Sequence, residues 1–136
     1  MNLTKNFTLE EMVRSQTAKE KKIDNTPNKE QIDNLKYLCV EILQPMRELL
    51  RRPVIVNSGY RCPALNKAIK GAVNSQHLKG EAADITLGSR ALNITLFKAL
   101  KENGKYDQLI DEKDYQWIHI SYKRIGKNRK QVLHLS

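Results

Sequence analysis

Between Pro27 and Pro53 the chain carries one apolar stripe, Ile32, Leu35, Cys39, Ile42, Met46 and Leu49, whose steps of three and four residues place it on one side of a helix. A start at Thr26-Pro27 follows, because Thr26 offers a capping oxygen and Pro27 lacks an N–H that the first turn does not need. The helix is expected to end near Arg51, with Pro53 stopping it and Cys39 on its buried face. A stripe of that length must be covered by an opposing layer.

The remaining elements are shorter. Thr8-Leu9-Glu10-Glu11 has the spacing of a reciprocal cap and opens a helix through about Ser15, after which residues 17–25 read as a polar connector. Val54-Ile55-Val56 reads as a buried strand, and Pro63 fits the first turn of a short helix ended by Gly71. Ala83 and Ile85 flank Asp84 in a further strand, and Ser89 caps a helix carrying Leu92, Leu96 and Leu100 that Gly104 ends. Tyr106 to Asp111 and Gln116 to Ser121 are the last strands, joined as a hairpin through an acidic stretch. The expected fold is α+β, a small, mainly antiparallel sheet packed with N-terminal helices, in one domain over residues 1–136.

Composition narrows the function classes. A formal net charge of +9 favours polyanionic partners such as nucleic acid, anionic lipid or an anionic cell wall without choosing among them. With 40% hydrophobic residues and a mean hydropathy of −0.61, a collagen-like, fully disordered or multi-pass membrane chain is excluded. No apolar run reaches the roughly 18 residues of a membrane span, and the start lacks the pattern of a secretory signal, so a cytoplasmic protein as synthesised is expected. Cys39 and Cys62 are too few for a disulfide framework and read as buried or half-buried thiols.

Two segments concentrate chemistry. In Ser75-Gln76-His77-Leu78-Lys79-Gly80-Glu81-Ala82-Ala83-Asp84, a His and an Asp are separated by a glycine and two alanines, which let the backbone turn back and approach closely. In Trp117-Ile118-His119-Ile120-Ser121 strict alternation puts the isoleucines on the core face and Trp117, His119 and Ser121 on the other. Two imidazoles and a carboxylate are a normal ligand set for a catalytic zinc, which keeps a further position for water. His134, in the basic tail, lacks such a setting.

S-x-H-x-x-G-x-A-x-D followed by W-x-H-x-S resembles the M15 family of zinc peptidases, which includes D-alanyl-D-alanine carboxypeptidases and phage endolysins and shares a metal-site architecture with the hedgehog domain. N-F-T-L-E-E-M, I-D-N-T-P, V-N-S-G-Y-R-C-P, Y-D-Q-L-I and N-R-K-Q-V-L are similar to the small single-domain branch of that family, so the likeness runs along essentially the whole chain. It implies a hedgehog/DD-peptidase-like fold, Zn2+ as cofactor, His77, Asp84 and His119 as its ligands, and peptide bonds of peptidoglycan stem peptides as substrate. It also implies that Arg61 and Ser75 contact substrate, and Tyr60 and Trp117 could wall the cleft. Several M15 enzymes place an acidic base three positions before the second His, where this chain has Gln116. Glu112 matches the base of the small branch instead, with Asp111 and Asp114 as substitutes.

The remaining expectations are a monomer without membrane insertion that reaches the wall by holin-type release, D,D- or L,D-specificity being open. The competing reading is a non-catalytic polyanion- or wall-binding domain with a degenerate metal site, motivated by Gln116 and by the basic tail Lys123, Arg124, Lys127, Arg129 and Lys130. That tail lacks the aromatic interleaving of a base-stacking surface, so nucleic acid is not expected as a partner.

Overall fold

The computed structural model describes residues 1–136. A small hairpin of β1 (Asn2–Thr4) and β2 (Phe7–Thr8) leads into α1 (Leu9–Val13). The expected cap is formed: Thr8 Oγ1 accepts from the Glu11 amide at 3.2 Å, and Glu11 Oε1 accepts from the Thr8 amide at 2.8 Å. Part of the presumed connector is helical, because Ser15 caps α2 (Gln16–Glu20) by accepting from the Ala18 amide, and Ala18 is buried.

The apolar stripe forms α3 (Lys29–Leu38), a π-helical turn over Cys39–Leu43, and α4 (Gln44–Leu50). Its cap is Asn28 rather than Thr26: Asn28 and Gln31 exchange hydrogen bonds at 2.9 and 2.8 Å, while Thr26 turns to Asp24. Pro45 is why the middle is not α-helical, since it has no N–H to donate; the Gln44 amide instead reaches back to the Cys39 carbonyl. The extra residue of the π turn rotates the turns that follow. Leu43 and Met46 are therefore buried and Leu50 packs on the core, whereas Leu49, expected in the stripe, is 64% exposed.

Five strands make the main sheet, in the order β3 (Ile55–Ser58), β4 (Ala82–Thr86), β6 (Trp117–Ser121), β5 (Gln108–Glu112), β7 (Gln131–Leu135). All neighbours are antiparallel except β5 and β7. β3 is an edge strand, so Val56 is buried but Ile55 lies open, correcting the expectation of a wholly buried strand. β7 was not expected, because the basic run before it masks a strand that is paired on one side alone. α5 (Pro63–Ala68) and α6 (Arg90–Asn103) form as anticipated, capped by Cys62 and Ser89. Leu35, Leu38 and Ile42 from the long helix meet Ile85, Ile118 and Ile120 from the sheet in one core cluster. Both cysteines are free and buried, and burial pushes the Cys39 thiol up to about 12, which keeps it unreactive at neutral pH.

Candidate metal centre and cleft

Sheet register brings the first two residues together. Asp84 in the centre of β4 lies opposite His119 in β6, both on the face away from the isoleucines. His77 arrives from a 3-10 turn, Gln76–Lys79, capped by the Ser75 hydroxyl and closed at Gly80 with φ of 72°. A side chain at Gly80 would bring a Cβ within 2.6 Å of the Gln31 carbonyl, so glycine is what lets the loop settle on α3.

The donor atoms of His77, Asp84 and His119 all lie within 4.8 Å of one another. His77 Nδ1 stands 2.6 Å from the Gly59 carbonyl oxygen, and because a carbonyl only accepts, that nitrogen carries the proton. The lone pair of His77 Nε2 then faces Asp84 Oδ1 at 3.3 Å, while His119 Nδ1 lies 3.1 Å from the same oxygen. For His77 this approach requires a proton or a metal cation between the two lone pairs, whereas His119 Nδ1 donates to the same oxygen when it carries its proton. His119 Nε2 is also buried with no partner. Buried imidazole nitrogens and a carboxylate are a donor set suited to a divalent ion of borderline softness.

Arg61 supports the carboxylate from behind. Its Nη2 donates to Asp84 Oδ2 at 3.2 Å, Nε to Ser58 Oγ at 3.0 Å and Nη1 to Asn66 Oδ1 at 3.3 Å. Burial lowers the affinity of this guanidinium for its proton, and Asp84 and Glu112 oppose the effect. Burial would raise the Asp84 carboxyl, but hydrogen bonds with His119 and His77 outweigh it and hold the group well below the usual carboxylate range.

An open cleft of about 320 Å³ lies over these residues. Arg61, Ser75 and Trp117 line it as anticipated, and so does Glu112. Glu112 stands opposite Trp117 in the β5/β6 register, and Trp117 Nε1 donates to Glu112 Oε2 at 3.1 Å. The two substitutes for Glu112 lie elsewhere. Asp111 points through the opposite face of β5, buried against His134 Nδ1, and Asp114 is held in the exposed turn by Arg90 at 3.0 and 3.1 Å. Tyr60 does not wall the cleft either: its ring is packed in the core, because its amide donates to the Met12 carbonyl and draws the chain inward at Gly59.

Two contributors lie outside the candidate site residues of the sequence. The Gly59 carbonyl fixes His77, yet a backbone oxygen leaves no mark on residue type. Gln76 lines the cleft and donates to Asp107 Oδ2 at 2.7 Å; its place beside His77 could have marked it. Asp107 is fully buried and receives Arg129 through its amide, Nε and Nη2, with Lys123 at 3.8 Å. Arg124 donates to Asn34 at 2.9 Å. Lys123, Arg124 and Arg129 are thus engaged by partners within the chain, while Lys127 and Lys130 stay exposed.

Fold and donor set together define an α+β protein with a cleft over a His-Asp-His group that could hold a metal ion. The Peptidase M15 family model matches residues 5–121, and the chain belongs to that family. Over 63 residues it is 38% identical to the zinc D-Ala-D-Ala carboxypeptidase of Streptomyces albus G, a stretch covering 46% of this chain and 24% of that protein. The match thus spans about a quarter of the length of that relative.

Proposed function

We propose that the protein is a zinc-dependent peptidase that hydrolyses peptide bonds in peptidoglycan stem peptides, working as a monomer on the wall after holin-type release. The observation that carries this reading is the convergence of His77, Asp84 and His119 beneath a cleft whose wall supplies a separate carboxylate, Glu112. The albus G relative, named as a zinc D-Ala-D-Ala carboxypeptidase, supports both metal and substrate class. His77, Asp84 and His119 would hold the ion.

Zinc held there would supply Lewis-acid polarisation of a carbonyl oxygen and acidification of water. Glu112 is the general base: Trp117 holds Oε2, which leaves Oε1 to take the proton from the attacking water and return it to the leaving amine. Arg61 fixes the orientation of Asp84, and of the roughly five N–H donors of a guanidinium its three contacts leave about two for a substrate oxygen. Ser75, which caps the His77 turn, and the half-buried Trp117 ring border the substrate.

Incubating dialysed protein with purified muropeptides, with and without zinc, and following products by mass spectrometry tests the reading. Zinc-dependent release of an amino acid or peptide, abolished in His77→Ala, is the expected result. Identical, null behaviour of the zinc-loaded protein and of His77→Ala would overturn it.

A further inference from the structure

The cleft itself offers little free positive charge, because Arg61 is paired with Asp84. Just beyond Gly71, which lines both spaces, a second hollow of about 520 Å³ opens between α5 and the 71–75 loop. Its sides are Pro63, Val73, Leu78 and the aliphatic stems of Lys67 and Lys70. Val73 is 87% exposed, covered by nothing in this chain, and neither lysine ammonium has a carboxylate partner.

The wall between the two spaces is rigid. Buried Asn66 accepts from Arg61 Nη1 at 3.3 Å and donates to the Ala72 carbonyl at 2.9 Å. Gly71 lies so close that a Cβ would come within 2.0 Å of Asn66 Oδ1, so the loop is moored directly on the residue that braces Arg61. An extended chain lying in the cleft would pass over this rim into the second hollow. There it would meet apolar walls and two unpaired cations.

We propose that this hollow is a substrate subsite that takes an aliphatic side chain against Val73 and Leu78 and an adjacent free carboxylate between Lys67 and Lys70. The inference rests on the peptidase reading above. Stem peptides carry both groups, and opposite charge is where an exposed lysine pair discriminates most. Lys113, over the Trp117 ring at 5.5 Å on the other side of the cleft, is the control for general attraction by a basic surface.

Two synthetic stem peptides, identical except for a free carboxylate or its carboxamide near the scissile bond, are titrated into zinc-loaded wild type, Lys67→Ala/Lys70→Ala and Lys113→Ala. Binding is read by calorimetry and hydrolysis by mass spectrometry. Wild type and Lys113→Ala are expected to favour the acid about five-fold, the size two exposed ion pairs carry, and the ratio falls toward one in the double variant and at high salt. No acid preference in wild type, its survival in the double variant, or its equal loss in Lys113→Ala overturns the subsite. Should wild type hydrolyse neither peptide yet keep the binding preference, the peptidase reading fails and the hollow stands only as a carboxylate-selective peptide-binding site. Equal binding and cleavage of both peptides sinks the subsite alone.

Discussion

Asp84 shows how little freedom a residue of this site retains: one oxygen faces two imidazoles and the other is held by Arg61. Glu112, by contrast, has one oxygen unengaged, and Glu112→Gln should lower kcat by roughly 10²–10⁴-fold. Zinc content measured by mass spectrometry should stay at the wild-type level in that variant; a parallel loss of metal would remove Glu112 from the role of base. Gly59→Ala tests the backbone support of His77. Its Cβ would meet the Met12 carbonyl oxygen at 2.2 Å, an obstacle that no rotamer relieves, so a loss of about 1–3 kcal/mol in urea unfolding is expected. Zinc affinity should fall by roughly 10–100-fold as the Gly59 carbonyl is displaced from His77 Nδ1. At this scale the motif residues were legible, since His77, Asp84 and His119 are chemically distinctive and closely spaced in two segments. The choice among Asp111, Glu112 and Asp114 was not: successive residues of a strand face opposite ways, and only packing tells which way is the cleft. Tyr60 was misjudged for the same reason, its ring being claimed by the core.

Among the elements, the C-terminal strand and the loop before it have the largest unexpected role. Arg129 anchors that loop on buried Asp107, which in turn holds Gln76 at the entrance of the His77 turn. Burial would raise the Asp107 carboxyl, but Arg129 and Gln76 hold it at about 2 against an ordinary value of 3.8. A value depressed by folding means the ionised form is stabilised, so the contribution is complete above about pH 4 and is lost as pH falls through about 2. Arg129→Ala leaves that carboxylate buried with fewer partners. It should lower stability at pH 7 in chemical denaturation, with a smaller difference from wild type near pH 2. A pH-independent difference would show that the pair contributes through packing alone. The long helix was legible as an element because its period is strong, but the π turn at Cys39–Leu43 hinges on Pro45, one residue that a search for apolar spacing passes over. Its consequence, the outward swing of Leu49, follows from helix phase rather than from hydrophobicity.

Over the whole molecule, helices and sheet share one core cluster, and the candidate metal site joins a loop to two adjacent interior strands of the sheet. Metal binding should therefore report on global stability. Raising free zinc to about 1,000 times Kd should stabilise the native state by about 4 kcal/mol, seen as a Tm increase on the order of 10 °C that a chelator reverses. A Tm insensitive to zinc would mean that the three side chains do not bind it in the folded protein. The sequence by itself determined the type of the longer elements, the α+β class and the identity of the clustered donors, because periodicity, caps and rare side chains are local properties of the chain. Tertiary structure alone decided that β7 runs parallel to β5, that Glu112 rather than Asp111 or Asp114 faces the cleft, and that a backbone carbonyl holds His77. Those outcomes depend on which faces pack together across long stretches of chain, and no local pattern encodes them.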